Sequence, residues 1–264
     1  NLDDLPGRIG LGHIRWATHG APMQVNAHPH VDCKNQVAVV QNGIIENYAE
    51  IKQELENLEH VFKSKTDTEV FTHLIEEKLK KELSFIEAVR ETLNRLEGSF
   101  SIAIIWVKES DKIFCAQKES SLTIGLGENA AYCSSDIPTF LPMTKKTVRI
   151  ESGEVGILSE KGYEIRSLAD WRQVLREPKI IDWVLETAEK GGYPHFMLKE
   201  IHDQPSTLRT TIRLQEEYMD LMATFLDKAD ELLLVACGTS YHACLAASYM
   251  FSKMAFLSTR PVFA

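Results

Sequence analysis

A run of short β-rich segments between residues 99 and 159 constrains the fold of this chain most strongly. The segments are rich in β-branched and aromatic residues, are separated by polar turns, and read SFSIAIIWV, KIFCA, LTIGL, AAYCS, TVRI and EVGILS. A chain with so many neighbouring strands must build β-sheets and bury at least one face of each.

Helical patterns precede these strands. QVAVVQ at residues 36–41 predicts a strand, after which apolar residues recur at helical spacing from Tyr48 to Leu58. Residues 66–69 and 84–87 both fit a capping box, each at the start of a further helix. Gly98 fits the C-cap of the helix that begins at residue 84. This order of strand, helices and strands predicts an α+β fold, with the helices segregated onto the faces of the sheets.

Composition excludes several classes of protein. The 264 residues are 44% hydrophobic and 25% charged, which is typical of a globular chain of one or two domains. The net charge of -9 argues against binding to nucleic acid or to an anionic membrane surface. Five cysteines without a C-x-x-C motif indicate reduced thiols, and hence a cytoplasmic location.

The domain organisation changes near residue 168, where composition becomes polar and weakly periodic. We expect a first domain at 1–168, a linker at 169–196 and the start of a second domain at 197–264. In that last part ELLLVA, CGTS, YHACLAASYMFSKMAF and RPVFA predict a strand, a turn, a helix and a strand, as in a parallel α/β domain. The chain lacks an initiator Met and stops on a strand pattern, so we expect a fragment of a longer protein.

A polar cluster, GLGHIRWATHGAP at residues 10–22, is the first candidate site. Arg15 offers a planar fork that suits a carboxylate, and Thr18 and His19 add hydrogen-bonding groups. The alternative is structural, with Arg15 paired to an acidic residue at a strand end and Trp16 in the core.

Asn42, Gly43 and Asp67 each allow two interpretations. Asn-Gly is a common hairpin turn, but the pair also offers an amide and a backbone N–H that would suit a developing oxyanion. Asp67 at a helix start would compensate the helix dipole or bind an ammonium group.

Two further motifs also allow both a structural and a functional interpretation. His28-Pro29-His30, with His13 and His19, matches no familiar zinc spacing, so we expect histidines that hydrogen-bond a loop and no metal. Thr239 and Ser240 follow a strand and would either bind a phosphate with the backbone amides of their turn or cap a buried helix.

Taken together, the motifs resemble one family over nearly the whole chain. RWATHGAP, NAHPH, QNGIIENY, KTDTEV, HFMLKEIHDQP and ACGTSY occur in the order found in the glutamine–fructose-6-phosphate aminotransferases (isomerising), which are class II glutamine amidotransferases. The resemblance implies a four-layer αββα sandwich of the N-terminal-nucleophile hydrolase type, followed by the start of an α/β sugar isomerase domain. It also implies that glutamine supplies ammonia to convert fructose 6-phosphate to glucosamine 6-phosphate, the first step of amino-sugar synthesis. No cofactor is implied, and the full protein would form dimers through its isomerase domains.

The resemblance also implies a role for each candidate residue. Arg15 would bind the α-carboxylate of glutamine and Asp67 its α-ammonium, while Thr18 and His19 would belong to a loop that closes over the substrate. Asn42 and Gly43 would form the oxyanion hole, and Trp16 would gate the ammonia channel. The phosphate of the sugar would contact Gly238, Thr239 and Ser240.

One departure from the family pattern concerns the nucleophile. In the family it is an N-terminal cysteine whose α-amine acts as the base, whereas this chain begins with Asn1 and its first cysteine is Cys33. We therefore expect the nucleophile upstream of Asn1, most of the isomerase site downstream of Ala264, and no activity from the chain alone. The alternative is a non-catalytic module that binds glutamine or a sugar phosphate.

Overall fold

A computed structural model describes residues 7–16, 19–182, 190–213 and 216–264, although not the side chain of Glu217. The chain divides into two compact units, residues 1–189 and 190–264. Among the described residues, every helix falls short of the length and apolar character that crossing a membrane requires.

Two antiparallel sheets form the first unit. Its strands in chain order are β1 (His30–Val31), β2 (Val37–Ile45), β3 (Gly98–Trp106), β4 (Lys112–Lys118), β5 (Leu122–Leu126), β6 (Ala131–Ser134), β7 (Lys146–Ile150), β8 (Glu154–Ser159), β9 (Gly162–Ser167) and β10 (Lys179–Ile180). Within the described residues, one sheet has the order β1-β2-β3-β4-β8-β9 and the other the order β10-β7-β5-β6. All six segments of the β-rich run are therefore confirmed as strands.

Three helices cover one face of the larger sheet, namely α1 (Tyr48–Asn57), α2 (Glu69–Lys80) and α3 (Phe85–Arg95). They bury apolar side chains such as Leu55, Phe71 and Val89 against Phe100 and Phe114 of the sheet. The apolar residues that recur at helical spacing in the sequence form a stripe on each helix, and this stripe faces the strands.

A second core joins the two sheets. It contains Ile124, Val148, Ile150, Leu158 and Ile165, contributed by strands of both sheets. The described residues of the first unit thus form three layers, helices on a sheet on a second sheet, and within them the second helical layer of the expected four is absent.

The two predicted capping boxes have different outcomes. Ser84 caps α3, since its Oγ accepts the N–H of Glu87 and the Glu87 carboxylate accepts the N–H of Ser84. The box at residues 66–69 is wrong, because Thr68 is the N-cap of α2 and forms no side-chain cap. Gly98 is not the C-cap of α3, a position that Leu96 takes, but opens β3 with a φ of 113°.

Part of the segment expected to be a linker packs on the first unit. Residues 179–180 form β10 and pair with β7, and Val174 packs against the second core. Residues 183–189 of that segment lie outside the described part of the chain.

The second unit contains α4 (Phe196–Thr211), α5 (Glu216–Asp227), β11 (Glu231–Ala236), α6 (Gly238–Met254) and β12 (Ser258–Phe263). β11 and β12 are parallel neighbours, so the predicted strand–helix–strand unit is confirmed. The expected turn CGTS is shorter than predicted, because α6 already begins at Gly238.

Candidate active site

The Asn42-Gly43 pair lies inside strand β2 and is not a hairpin turn. Asn42 pairs with Ser101 and Gly43 with Phe100, so β2 continues along β3 without a break. The φ of Gly43 is 102°, and a Cβ built there would lie 2.1 Å from the carbonyl oxygen of Ser99. Only glycine fits this close approach of two strands, which explains the residue type without a turn.

Partners on both sides orient the side-chain amide of Asn42. Its Oδ1 lies 2.8 Å from Nε2 of His13, and its Nδ2 donates to Oγ of Ser135 at 3.1 Å. The ring of His13 in turn stacks on that of His28, with centroids 4.2 Å apart. The amide is therefore held in place before any ligand binds.

Asp67 is a buried carboxylate, 4% exposed, just before α2. Its Oδ2 accepts the backbone N–H of Ile45 at 2.8 Å. This bond ties the start of α2 to the end of β2, and so fixes Asp67 close to the strand that carries Asn42 and Gly43.

Arg15 binds backbone carbonyls and no acidic side chain in the described structure. Its guanidinium donates to the carbonyl oxygens of Gly20 at 2.9 Å and Ala21 at 3.1 Å, and also to that of His19. These bonds use three of the five guanidinium N–H donors, and two remain for a ligand. Trp16 is 90% exposed, so the structural alternative is wrong in placing it in the core, and among the described residues no acidic side chain pairs with Arg15.

Asn26 connects the loop at residues 19–21 to the segment that carries Asp67. Its Nδ2 donates to the carbonyl of Ala21, and its Oδ1 accepts the N–H of Lys65, each at 2.9 Å. Asn26 opens the NAHPH motif, but sequence reasoning gave it no role, because the motif does not show that this side chain is buried between two loops.

The two histidines of the HPH motif hydrogen-bond a strand and a loop, whereas a loop alone was predicted. Nδ1 of His28 accepts the N–H of Gln41 at 3.2 Å, and Nε2 of His30 lies 2.9 Å from Oγ1 of Thr66. Burial, together with the nearby charges of His13, His30 and Arg15, lowers the pKa of His28 from 6.5 to about 3. His28 is therefore neutral near pH 7.

One cavity of about 260 Å³ is lined by Arg15, Asp67 and the Asn42-Gly43 pair, and we call it the Arg15–Asp67 cavity. The volume equals that of roughly nine water molecules at about 30 Å³ each, which suits a small ligand. The sequence-predicted residues that line it are Arg15, Trp16, His19, Asn42, Gly43 and Asp67. Thr18 lies outside the described residues. Cys133 lines a neighbouring cavity of about 100 Å³ beside Asn42 and His13.

Comparison with known proteins places a known type of domain over this part of the chain. Residues 13–142 match the model of a glutamine amidotransferase domain, a range that contains every residue of the cavity. The chain is 46% identical over 253 residues to the glutamine–fructose-6-phosphate aminotransferase [isomerizing] of Thermococcus kodakarensis, covering 96% of this chain and 42% of that protein. It is 42% identical to the protein of the same name from Methanothermobacter thermautotrophicus, covering 100% of this chain and 44% of that protein.

The chain belongs to the glutamine amidotransferase family. It spans less than half the length of these relatives. Among solved structures, this amidotransferase chain is similar to an allosteric regulatory enzyme of purine biosynthesis, with 26% identity and a TM-score of 0.52 over 60% of this chain and 34% of that one. A glutamine phosphoribosylpyrophosphate amidotransferase from B. subtilis shares the fold, with 18% identity and a TM-score of 0.53 over 94% of this chain and 50% of that one.

The candidate phosphate-binding residues of this amidotransferase chain lie in the second unit. Gly238, Thr239 and Ser240 form the first turn of α6, and all three are exposed. The N-cap of α6 is Cys237, which makes no side-chain cap, and no residue of α6 is buried. The first-turn hydroxyls and amides thus face solvent, where an anion can reach them.

Proposed function

We propose that the first unit binds L-glutamine in the Arg15–Asp67 cavity and presents its side-chain amide to Asn42 and Gly43. The observation that carries this proposal is the placement of one cation, Arg15, one anion, Asp67, and the Asn42-Gly43 donor pair around a single small cavity. A zwitterionic amino acid needs a partner for each of its two charges, and fixed partners turn an encounter into a positioned reaction.

The chemistry that this geometry supports is amide hydrolysis through a tetrahedral intermediate. A thiolate attacks the amide carbon, the carbonyl oxygen becomes an oxyanion, and Nδ2 of Asn42 and the N–H of Gly43 donate to it. One such donor stabilises the transition state by roughly 3–4 kcal/mol in other enzymes. The nitrogen takes up the proton that the thiol gave up, the C–N bond breaks and ammonia leaves, and water then hydrolyses the thioester to glutamate and the free thiol.

We propose that the nucleophile is not among the described groups of the cavity. None of the five cysteines lines it, and all five lie in the described part of the chain. The 264 residues should therefore bind glutamine without turning it over, whereas the whole protein hydrolyses it. Glutamate release by these residues, abolished by Cys133→Ser, would instead identify Cys133 as the thiol.

For the whole protein we propose the glutamine-dependent conversion of fructose 6-phosphate to glucosamine 6-phosphate, the activity that the relatives' names describe. In this proposal Thr239 and Ser240 bind the sugar phosphate at the start of α6, Trp16 gates the path of ammonia, and Thr18 and His19 close over glutamine. Dimer formation through the sugar isomerase part and a cytoplasmic location stay predictions.

Calorimetric titration of the chain with L-glutamine tests the binding step. Asp67→Asn keeps an oxygen for the N–H of Ile45 but loses the charge, so affinity should fall by about 10- to 100-fold. Asp111→Asn changes an exposed aspartate outside the cavity and is the matched control. Equal affinity in both variants would contradict the assignment of Asp67. A binding-only module, the second candidate, predicts binding by the whole protein without glutamate release.

A further inference from the structure

Four potential metal ligands converge at a place that the Arg15–Asp67 cavity does not include. They are Cys33 in the loop between β1 and β2, His60 after α1, and His73 and Glu76 on α2. Their ligand atoms all lie within 4.8 Å of one another. The side chains of His60 and His73 are 0% and 1% exposed, and that of Glu76 is 5% exposed.

Five of the six separations between these atoms are close to the edges of a tetrahedron around a metal. With bonds of about 2.3 Å to sulfur and 2.0–2.1 Å to nitrogen, tetrahedral zinc sets two nitrogens about 3.4 Å apart and sulfur about 3.6 Å from each nitrogen. In this protein Nδ1 of His60 lies 3.2 Å from Nδ1 of His73, and Sγ of Cys33 lies 3.7 and 3.5 Å from these two atoms. Oε2 of Glu76 lies 3.3 and 3.5 Å from the same two nitrogens.

The outer nitrogen of each histidine faces a carboxylate. Nε2 of His60 lies 3.2 Å from Glu77, and Nε2 of His73 lies 3.5 Å from Glu69. A proton on each Nε2 would face these carboxylates and leave the Nδ1 lone pairs directed inward, as in histidines that bind metals, although Nε2 of His73 makes no hydrogen bond to Glu69. Lys80 lies 3.3 Å from Glu77, and its charge balances that of Glu77. Its Nζ also lies 3.1 Å from Nε2 of His60 and can donate there only when Nε2 carries no proton, so metal binding through Nδ1 requires Lys80 to donate to Glu77 instead.

We propose that Cys33, His60, His73 and Glu76 bind one zinc(II) ion. The buried Nδ1 lone pairs of His60 and His73, 3.2 Å apart, repel each other unless a proton or a cation lies between them. The four converging ligand atoms leave room for one central cation. A mixed set of sulfur, nitrogen and carboxylate ligands favours zinc over magnesium or calcium, which prefer oxygen. A thiolate and a carboxylate also neutralise the two charges of the ion.

The ion would hold three segments of the first unit together. Glu69, behind His73, also accepts the backbone N–H groups of Lys63 at 2.8 Å and Ser64 at 2.6 Å. Those residues lead directly to Asp67, so the ion would brace the segment that supplies this carboxylate. This last consequence rests on the proposed glutamine site, whereas binding of the ion does not.

Metal analysis of the tag-free 264-residue protein, dialysed against zinc and then against buffer, tests the proposal. We expect one zinc per chain. Replacement by cobalt(II) should give the intense visible bands of a tetrahedral site and a thiolate-to-cobalt band in the near ultraviolet. Zinc well below one equivalent, or cobalt without a thiolate band, would overturn the assignment.

Three variants locate the site. Cys33→Ser should abolish the thiolate-to-cobalt band. The matched change of a cysteine on α6, Cys244→Ser, should leave the band unchanged. A band that survives in Cys33→Ser contradicts the proposal.

Glu77→Gln keeps all four ligands and should weaken zinc affinity by about 10- to 100-fold, an effect that a purely structural role of Glu77 would not cause. Unchanged zinc affinity in Glu77→Gln also counts against the site. Zinc content should persist in Asp67→Asn, which separates this test from that of glutamine binding.

Discussion

At the scale of single residues, the candidate site depends on groups held in one protonation state and one orientation. His28 illustrates this, because it stacks on His13, accepts the N–H of Gln41 and lines the cavity without carrying a charge. A second cation beside Arg15 would repel it and would compete for a bound carboxylate. The neutral imidazole therefore preserves Arg15 as the positive group of the cavity.

His28 should remain neutral far below the pH at which an exposed histidine titrates. Its pKa is about 3 in the folded protein and near 6.5 in the unfolded chain, so the unfolded chain binds the additional proton between these values. The stability that neutral His28 contributes is complete above about pH 6.5 and falls as the pH drops towards 3. The imidazole resonances of His28 in an NMR titration measure this directly.

The matched variant for this prediction is His28→Asn, in which the free energy of unfolding should depend less on pH between 4 and 6.5. A His28 resonance that titrates near pH 6.5 in the folded protein would show that burial does not exclude the proton.

Residue type and motif order were enough to select Arg15, Asn42, Gly43 and Asp67, and the structure brings these four to one cavity. Asn26 stands in the NAHPH motif but received no role from the sequence, because its two partners are backbone groups of separate loops. The converging ligands at Cys33, His60 and α2 were also missed, since three distant segments supply them. Only the spacing of His73 and Glu76, three residues apart on a helix, was visible in the sequence.

At the scale of elements, tertiary partners decided where local patterns succeeded or failed. The capping box at Ser84 forms as predicted because its groups are exposed and have no other partner among the described residues. The box at Thr66 fails because the Glu69 carboxylate binds the amides of Lys63 and Ser64, and Thr66 binds Ser64 and His30. A box motif read from sequence cannot show such competing partners.

Strand pairing at Gly43 gives a prediction about stability. Gly43→Ala would place a Cβ 2.1 Å from the Ser99 carbonyl at a φ of 102°, so β3 would have to move. The expected loss in the free energy of unfolding exceeds about 4 kcal/mol. Gly162→Ala has a φ of 118° with nothing within 4 Å, and should cost only backbone strain of about 1–3 kcal/mol. If urea denaturation gave equal losses in the free energy of unfolding for the two variants, β3 would be able to move away from residue 43 without loss of stability.

At the scale of the whole molecule, the two units differ in how much they bury. The first unit contains both apolar cores. In residues 190–213 and 216–264 no residue is buried, the side chain of Glu217 being outside the description, and large apolar side chains such as Phe225, Tyr249 and Phe256 are exposed. A unit of this size without a buried core gains too little from burial to offset its loss of chain entropy.

Separate expression of the two units tests this difference. Residues 1–189 should unfold in a single cooperative transition, whereas residues 190–264 should show none, as followed by circular dichroism on heating. A cooperative transition in the second fragment at low concentration would show that its side chains pack into a core of their own.

The central claim is that one amino acid binds by its two charges between Arg15 and Asp67. A crystal structure of the chain with L-glutamine tests it most directly. We expect glutamine in the Arg15–Asp67 cavity, with its carboxylate at Arg15, its ammonium at Asp67 and its side-chain amide facing Asn42 and Gly43. Glutamine bound elsewhere, or bound in this cavity with its charged groups away from both residues, would contradict it.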